Sequence, residues 1–168
     1  MNRNTIIILG VIAVMLPVVI ILTILHQRSM AEVFNRHIDG TFTVIYNEQA
    51  HNIAASDIVA MSPMEVKAVY RGNERVFTGV SIAAIIDYVG ADPANISSVV
   101  FVSLDGFFSA ISAADALDAD NAFLVFEEDE EPLGHMDDDG EGPFRLVLVN
   151  DPFPNRWARY VMEIRLQN

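Results

Sequence analysis

The feature that most constrains this chain is an uncharged apolar stretch near its start, residues 5–25. As a helix, this stretch is long enough to cross the ~30 Å hydrocarbon core of a bilayer. A helix satisfies its own backbone hydrogen bonds in lipid, and Pro17 does not exclude one because membrane helices tolerate proline. The sequence therefore predicts a single-pass transmembrane helix over about residues 5–25, within an N-terminal membrane anchor over residues 1–28.

A secretory signal peptide is the alternative interpretation of the same stretch. Signal peptides carry an apolar region of about 7 to 15 residues, followed by small residues at the cleavage site. The longer run here favours an uncleaved anchor, although Ser29-Met30-Ala31 would suit cleavage. Basic residues are nearly balanced, with Arg3 before the stretch and Arg28 and Arg36 after it, so they signal orientation only weakly. We expect the following domain to be extracytoplasmic.

Composition limits what that domain can be. The 168-residue sequence has no cysteine, which excludes disulfides, thiolate metal sites and cysteine nucleophiles together. A formal net charge of −13 opposes binding to nucleic acid and docking on anionic lipid. We expect a polar stalk over residues 29–40, one folded domain over residues 41–168, and no nucleic-acid partner.

Segments rich in β-branched and aromatic residues, several of them alternating with polar ones, predict a strand-rich domain of the α+β class. Turns are predicted at Arg71-Gly72-Asn73, at Asp105-Gly106 and around Asp151-Pro152. The predicted strands are 41–46, 64–70, 75–77, 98–102, 107–111, 122–126, 144–149 and 160–166.

Two short helices are predicted between these strands. Ser56 can cap one that runs through Met61, and Ser81 can cap another over residues 82–89 that ends at Gly90. The apolar residues of the second helix share one face, which we expect to pack on the sheet: Ile82, Ile85, Ile86 and Val89.

Five short motifs stand in an order and spacing that are typical of a known family. They are Phe77-Thr78-Gly79-Val80, Val102-Ser103-Leu104-Asp105-Gly106-Phe107, Glu131-Pro132-Leu133, Gly142-Pro143-Phe144-Arg145-Leu146-Val147, and Arg156-Trp157-Ala158-Arg159-Tyr160 with Ile164 and Leu166. Through these motifs the chain, over roughly residues 42–166, resembles the sulfite-oxidase-type molybdopterin-binding domain. The resemblance implies a mixed, strand-rich α+β fold with a cleft for a pterin cofactor.

In catalytic members of the resembled family, a cysteine thiolate binds molybdenum directly. That cysteine stands before the Gly-Val helix. The corresponding stretch here, residues 68–75, keeps a Gly-Asn followed by Arg75 but offers only tyrosine and arginine where sulfur would be needed. A neutral phenol is a poor substitute for a soft thiolate on such a metal. We therefore expect the chain not to perform standard sulfite-oxidase chemistry.

The resemblance also implies which residues would hold a cofactor. In the family, a basic residue at the position of Arg159, followed by an aromatic residue as at Tyr160, helps to hold the pterin or its phosphate. Arginine suits this task because its planar fork binds phosphate with two hydrogen bonds. The alternative is that the arginines pair with the many carboxylates, and Phe107 and Trp157 could line the cleft. The predicted cofactor-binding set is Ser103, Asp105, Arg145, Arg156, Arg159 and Tyr160.

The most acidic segment, residues 127–141, contains nine carboxylates and no basic residue. We interpret it as a solvated loop. A calcium site is the alternative, because oxygen ligands on a glycine-containing loop suit Ca²⁺, although the spacing does not match an EF-hand. The four histidines are scattered and predict no structural zinc site.

Two functional hypotheses follow. The first is a membrane-anchored, non-catalytic domain that binds a small anionic ligand or a partner protein. The second is a redox subunit of an oxidoreductase that holds molybdopterin without a protein thiolate. The two differ in one measurable property, the molybdenum and pterin content of the purified protein.

Overall fold

The computed structural model describes residues 15–23, 40–151 and 154–168. Residues 15–23 are helical and exposed. The rest of the predicted membrane segment, and the predicted stalk apart from Gly40, lie outside the described residues. Within the ranges that are described, none of the helices is both long and apolar enough to cross a membrane.

The α+β class is confirmed by the described part of the chain. Its strands are β1 (Phe42–Tyr46), β2 (Gln49–Ile53), β3 (Met64–Tyr70), β4 (Asn73–Ser81), β5 (Ser98–Ser103), β6 (Phe108–Ser112), β7 (Ala122–Glu128), β8 (Glu131–Pro132), β9 (Arg145–Leu148) and β10 (Val161–Gln167). Its helices are α1 (Ala55–Ala60), α2 (Ile82–Tyr88) and α3 (Ala113–Leu117), with single 3₁₀ turns at Pro93–Asn95, Met136–Asp138 and Pro154–Arg156.

These strands form two five-stranded sheets. The first has the order β2-β1-β10-β5-β6, in which β1 and β10 are parallel and the other pairs are antiparallel. In the second, the β3–β4 hairpin continues to β7, whose far edge pairs with both β8 and β9. The predicted hairpin between residues 64–70 and 75–77 is confirmed, although its second strand extends to Ser81.

The core lies between these elements. Helix α2 packs on β4 and β7, and α3 contacts strands of both sheets. The predicted apolar face of α2 is confirmed for Ile82, Ile85 and Ile86, which are buried, while Val89 is only partly buried against the core. In the second sheet, Leu124 of β7 and Leu146 of β9 lie opposite each other and are fully buried.

One predicted helix cap is confirmed and one is wrong. The Ser81 hydroxyl accepts a hydrogen bond from the Ala84 N–H at 3.2 Å, as the sequence predicts. Ser56 does not cap α1, because that helix begins at Ala55 and its N-cap is Ala54, two residues before the predicted cap. The N-terminal end of α1 is stabilised by Asp57, whose carboxylate accepts a hydrogen bond from the Ala54 N–H at 2.8 Å. A carboxylate in the first turn also complements the helix dipole.

Strand β2 was not predicted. Its sequence, Gln-Ala-His-Asn-Ile, lacks the alternating apolar pattern because it is an edge strand that buries only Ile53. It forms because the turn at Asn47 and Glu48 folds the chain back on β1, with both residues in the left-handed region. This turn has no glycine, so the usual hairpin signal is missing.

The turn between β5 and β6 supports a stability prediction at Gly106. Its φ is +83°, and its N–H donates to the Ser103 carbonyl at 3.1 Å, which closes the predicted Asp105-Gly106 turn. A Cβ at this position meets no atom within 4 Å, so the cost of substitution comes from the backbone alone. We expect Gly106→Val to lower the free energy of unfolding by about 1 to 2 kcal/mol.

Urea denaturation checks this prediction, with Gly106→Asn as the matched control. Asparagine tolerates the left-handed region, so we expect it to lose clearly less stability than valine. Equal losses for both variants would show that the side chain, and not the φ angle, is responsible.

Candidate functional site

A cleft of about 400 Å³ lies where three connecting segments of the two sheets meet. The β3–β4 turn, the β5–β6 turn and the chain between β9 and β10 all contribute to it, and β9 begins beside it. The lining residues are Tyr70, Arg71, Asp105, Phe107, Arg145, Pro154, Asn155, Trp157, Arg159 and Tyr160.

Arg145 is the buried cation of this cleft, since only 2% of it is exposed. Its guanidinium carbon lies 4.7 Å from the ring centre of Tyr70, 5.3 Å from that of Trp157 and 5.7 Å from that of Phe77. The Tyr70 and Trp157 rings stack with their centres 5.4 Å apart. A guanidinium over several ring faces gains electrostatic attraction as well as packing. The aromatic cluster therefore fixes Arg145 in place.

Two carboxylates of the acidic segment, residues 127–141, form ion pairs with arginines at the cleft. Glu141 forms ion pairs with Arg145 and, at 3.2 Å, with Arg159. Glu128 lies 2.9 Å from Arg75 and 3.9 Å from Arg145. The pairing of arginines with carboxylates, which the sequence left open, occurs at these two positions. The interpretation of residues 127–141 as a solvated loop is wrong at Glu128, which belongs to β7. The fold brings arginines from β4, β9 and the segment before β10 against the two glutamates.

The remaining carboxylates of this segment do not form a metal centre in the described chain, which includes all of residues 127–141. No group of three or more Asp, Glu or His side chains converges there as ligands. The geometry therefore gives no support to the calcium alternative in this segment.

The cleft brings together four of the six predicted cofactor-binding residues. Arg145, Arg159, Tyr160 and Asp105 line it. Ser103 does not line it: this residue is buried at the end of β5, and its hydroxyl has no hydrogen-bond partner among the described residues.

Arg156 lies outside the cleft lining, and its contacts hold the chain between β9 and β10 in place. Its Nε is 2.7 Å from an Asp151 carboxylate oxygen, and its Nη1 is 3.7 Å from one of Asp115. Its carbonyl accepts a hydrogen bond from the Ser109 hydroxyl at 2.6 Å. These contacts tie the chain before Trp157 to β6 and α3, so Arg156 acts here as the ion-pair partner that the sequence left open as an alternative.

Sequence reasoning missed Arg71. This exposed residue occupies the β3–β4 turn in the left-handed region, and its guanidinium carbon lies 5.2 Å from the Tyr70 ring centre. It makes no ion pair with any other described residue. The Arg-Gly-Asn signal located the turn, but no local pattern indicates which turns of a two-sheet domain share a cleft. Phe107 and Trp157, named from the sequence as residues that could line a cleft, do line this one.

The charges of the cleft favour an anion. Three arginines line it against one lining carboxylate, Asp105, which accepts a hydrogen bond from the Phe107 N–H at 3.0 Å. Glu141 pairs with Arg145 and Arg159 from outside the lining, whereas Arg71 has no ion-pair partner among the described residues. This concentration of cations occurs in a chain whose formal net charge is −13. Two buried N–H groups at the cleft, Arg145 Nε and Trp157 Nε1, have no acceptor among the described residues. Exposed arginine forks bind phosphate and carboxylate groups well.

Comparison with known proteins gives one informative similarity. No protein-family model and no curated protein matches the sequence. Among solved structures, the chain is similar to the sulfane dehydrogenase SoxCD from Paracoccus pantotrophus, with a TM-score of 0.61 and 14% sequence identity. The match covers 78% of this chain and 39% of that chain, so this chain spans about two fifths of its length. At this identity the similarity shows a distant relationship in fold alone.

Proposed function

We propose that this chain is a membrane-anchored, non-catalytic domain that binds a small anionic ligand in the arginine-lined cleft. The observation that carries the proposal is the meeting of Arg71, Arg145 and Arg159, from three separate parts of the sequence, around one aromatic cleft. Arg71 is exposed and makes no ion pair with a described residue, while the exposed Arg159 and the buried Arg145 behind it share Glu141 as an ion-pair partner. Planar, bidentate arginine contacts give both affinity and geometric selectivity for phosphate or carboxylate.

The cleft offers only some of the contacts that a molybdopterin cofactor, which the resemblance implies, would need. Arg71 and Arg159 fit a phosphate, and the exposed ring of Phe107 fits a flat heterocycle. The stretch that corresponds to the family's cysteine-bearing segment brings Tyr70 and Arg71 to the cleft, and the sequence has no cysteine. The residues therefore fit the organic part of the group but supply no thiolate for its metal, and the proposal contains no metal-centred step.

The similarity in fold to a sulfane dehydrogenase favours a second function. In this alternative the chain is a molybdopterin-binding redox subunit that lacks a protein thiolate. Metal and pterin analysis of the full chain, produced in a host that makes molybdopterin, separates the two. Stoichiometric molybdenum would overturn the first proposal. Protein that contains neither pterin nor molybdenum, yet binds methyl phosphate, would overturn the second.

Membrane attachment through residues 5–25, with the domain on the extracytoplasmic side, belongs to the same proposal. Its support is the length and apolarity of that stretch. A partner protein that presents an acidic group to the cleft would use the same arginines as a small ligand. Protease protection of the domain in intact, oriented vesicles tests its side of the membrane.

Arg159 supports a specific binding prediction. We expect Arg159→Ala to weaken binding of methyl phosphate to the full chain about ten- to a hundredfold in isothermal titration calorimetry. Loss of one charge-assisted contact costs on the order of 1.5 to 3 kcal/mol, which gives this range. Arg159→Lys should recover only part of the loss, because lysine keeps the charge but not the planar fork.

Arg165→Ala is the matched control for this variant. Arg165 is as exposed as Arg159 and also pairs with one glutamate, but it lies on β10 away from the cleft. We expect wild-type binding from this control. Wild-type affinity in Arg159→Ala, or the same loss in both variants, would contradict the site assignment.

A further inference from the structure

A second cavity lies beside the arginine-lined cleft. It has a volume of about 200 Å³, and we call it the side cavity. Tyr160 lines both the cleft and the side cavity, so the two are neighbours. The side cavity differs from the cleft in chemistry, because it has no arginine in its lining and its apolar members include Leu104, Met136 and Met162.

These three apolar side chains are unusually exposed. The exposed fraction is 65% for Leu104, 45% for Met136 and 47% for Met162. Folding does not benefit from apolar surface left in water, and grouped exposed apolar residues mark binding sites more often than scattered ones do. Their convergence on one cavity, which Thr41, His135 and Asp137 also line, favours an apolar group beside them.

Two of these three side chains, Leu104 and Met162, lie at irregular points of the backbone. Leu104 begins the β5–β6 turn, and Met162 lies at the bulge where the register of β10 against β5 shifts between Val161 and Glu163. A bulge turns a side chain away from the direction that regular pairing would give it. Both residues line the side cavity, and Leu104 directly precedes Asp105 of the cleft.

Tyr160 is held firmly at the boundary. Its φ of +54° is uncommon for a residue other than glycine and costs free energy. Its hydroxyl donates to the Gly140 carbonyl at 3.0 Å, and its own carbonyl accepts from the Leu104 N–H at 3.0 Å. The preceding residue is Arg159, so the cation and the entrance to the side cavity are adjacent in the chain.

We propose that the ligand is an amphipathic anion, with its acidic head at Arg71 and Arg159 and its apolar part past Tyr160 in the side cavity. This inference rests on the proposed function of the cleft. The side cavity has about seven times the volume of one water molecule, which suits a short hydrocarbon chain. An alkyl phosphate and a fatty acid share this chemistry, and they differ only in the head group.

The test measures the binding of ligands with alkyl groups of increasing length to the full protein chain. Methyl, butyl and hexyl phosphate carry the same head, so only the apolar part changes. Each methylene removed from water contributes a factor of about four, and we expect hexyl phosphate to bind at least about tenfold tighter than methyl phosphate. Hexanoate replaces the head by a carboxylate and identifies the preferred acid, while hexanol removes the charge and should bind far more weakly.

Matched variants assign the effect to the side cavity. We expect Met162→Ser to reduce the preference for hexyl over methyl phosphate at least threefold. Met64→Ser is the control, because Met64 is 48% exposed on β3 and lines neither cavity. It should keep the wild-type preference. Comparing ratios within each variant also cancels any partition of the ligands into detergent or lipid.

The possible results separate this inference from the function on which it rests. Equal binding of methyl and hexyl phosphate would overturn the amphipathic ligand but leave the anion site in place. Hexanol binding as tightly as hexyl phosphate would overturn the role of the arginines. If none of the phosphates and carboxylates binds, the proposed function fails together with the inference. A preference lost equally in Met162→Ser and Met64→Ser would overturn the assignment to the side cavity.

Discussion

Replacing Arg145 by alanine is expected to lower the free energy of unfolding by about 3 to 5 kcal/mol. The guanidinium is almost fully buried between the rings of Tyr70, Phe77 and Trp157, so truncation leaves a cavity among three aromatic side chains. It also deprives Glu141 of its buried partner. Urea denaturation of the full chain measures this loss.

Two further variants separate packing from charge. Arg145→Met fills most of the same space but removes the charge, which leaves Arg159 as the ion-pair partner of Glu141. We therefore expect a loss clearly smaller than that of Arg145→Ala. Arg165→Ala removes an exposed ion pair with Glu163 and should cost less than about 1 kcal/mol. A loss below about 1 kcal/mol for Arg145→Ala would contradict the description of Arg145 as a buried, packed cation.

Gly79→Val is expected to cost about 3 kcal/mol or more, or to prevent folding altogether. Gly79 lies in β4 at the point where its register against β7 shifts. A Cβ there would lie 2.5 Å from the Leu124 carbonyl oxygen and 2.7 Å from the Val125 Cα, both of them backbone atoms that cannot move aside. The central strands of the second sheet would have to separate.

Thermal unfolding and the yield of folded protein measure this effect, with Ala110→Val as the control. Ala110 is exposed on edge strand β6, where a larger β-branched side chain should change stability by no more than about 0.5 kcal/mol. If Gly79→Val unfolded at the wild-type temperature, the close approach of β4 and β7 at this glycine would be wrong.

The elements that the sequence predicted correctly depend on short-range signals. The β3–β4 hairpin follows from alternation on both sides of Gly72, and the α2 helix follows from a serine cap and isoleucines that share one face. Each signal lies within about ten residues, so it favours its hairpin or helix without contacts from the rest of the fold. Strand β2 lacks such a signal, since its pairing with β1 and not its own pattern makes it a strand.

The site was predictable only in part for the same reason. The resemblance of short motifs pointed to Arg145, Arg159 and Tyr160, which the cleft does bring together. The partners of these arginines were not predictable, because Glu128 and Glu141 stand among nine carboxylates and nothing in the sequence distinguishes them. Only the packing of the two sheets selects those two.

The central claim is that an anion binds at the arginines of the cleft. Trp157 gives a direct probe, because it is the single tryptophan of the sequence and lines the cleft. Its buried indole N–H also has no acceptor within the part of the chain that the structure describes. In ¹⁵N–¹H spectra of the full chain titrated with methyl phosphate, we expect the Trp157 indole signal and the Arg159 Nε–H signal to shift together and saturate at one concentration. The Arg165 Nε–H signal should stay in place. Signals that do not move, or an Arg165 shift as large as that of Arg159, would contradict the claim.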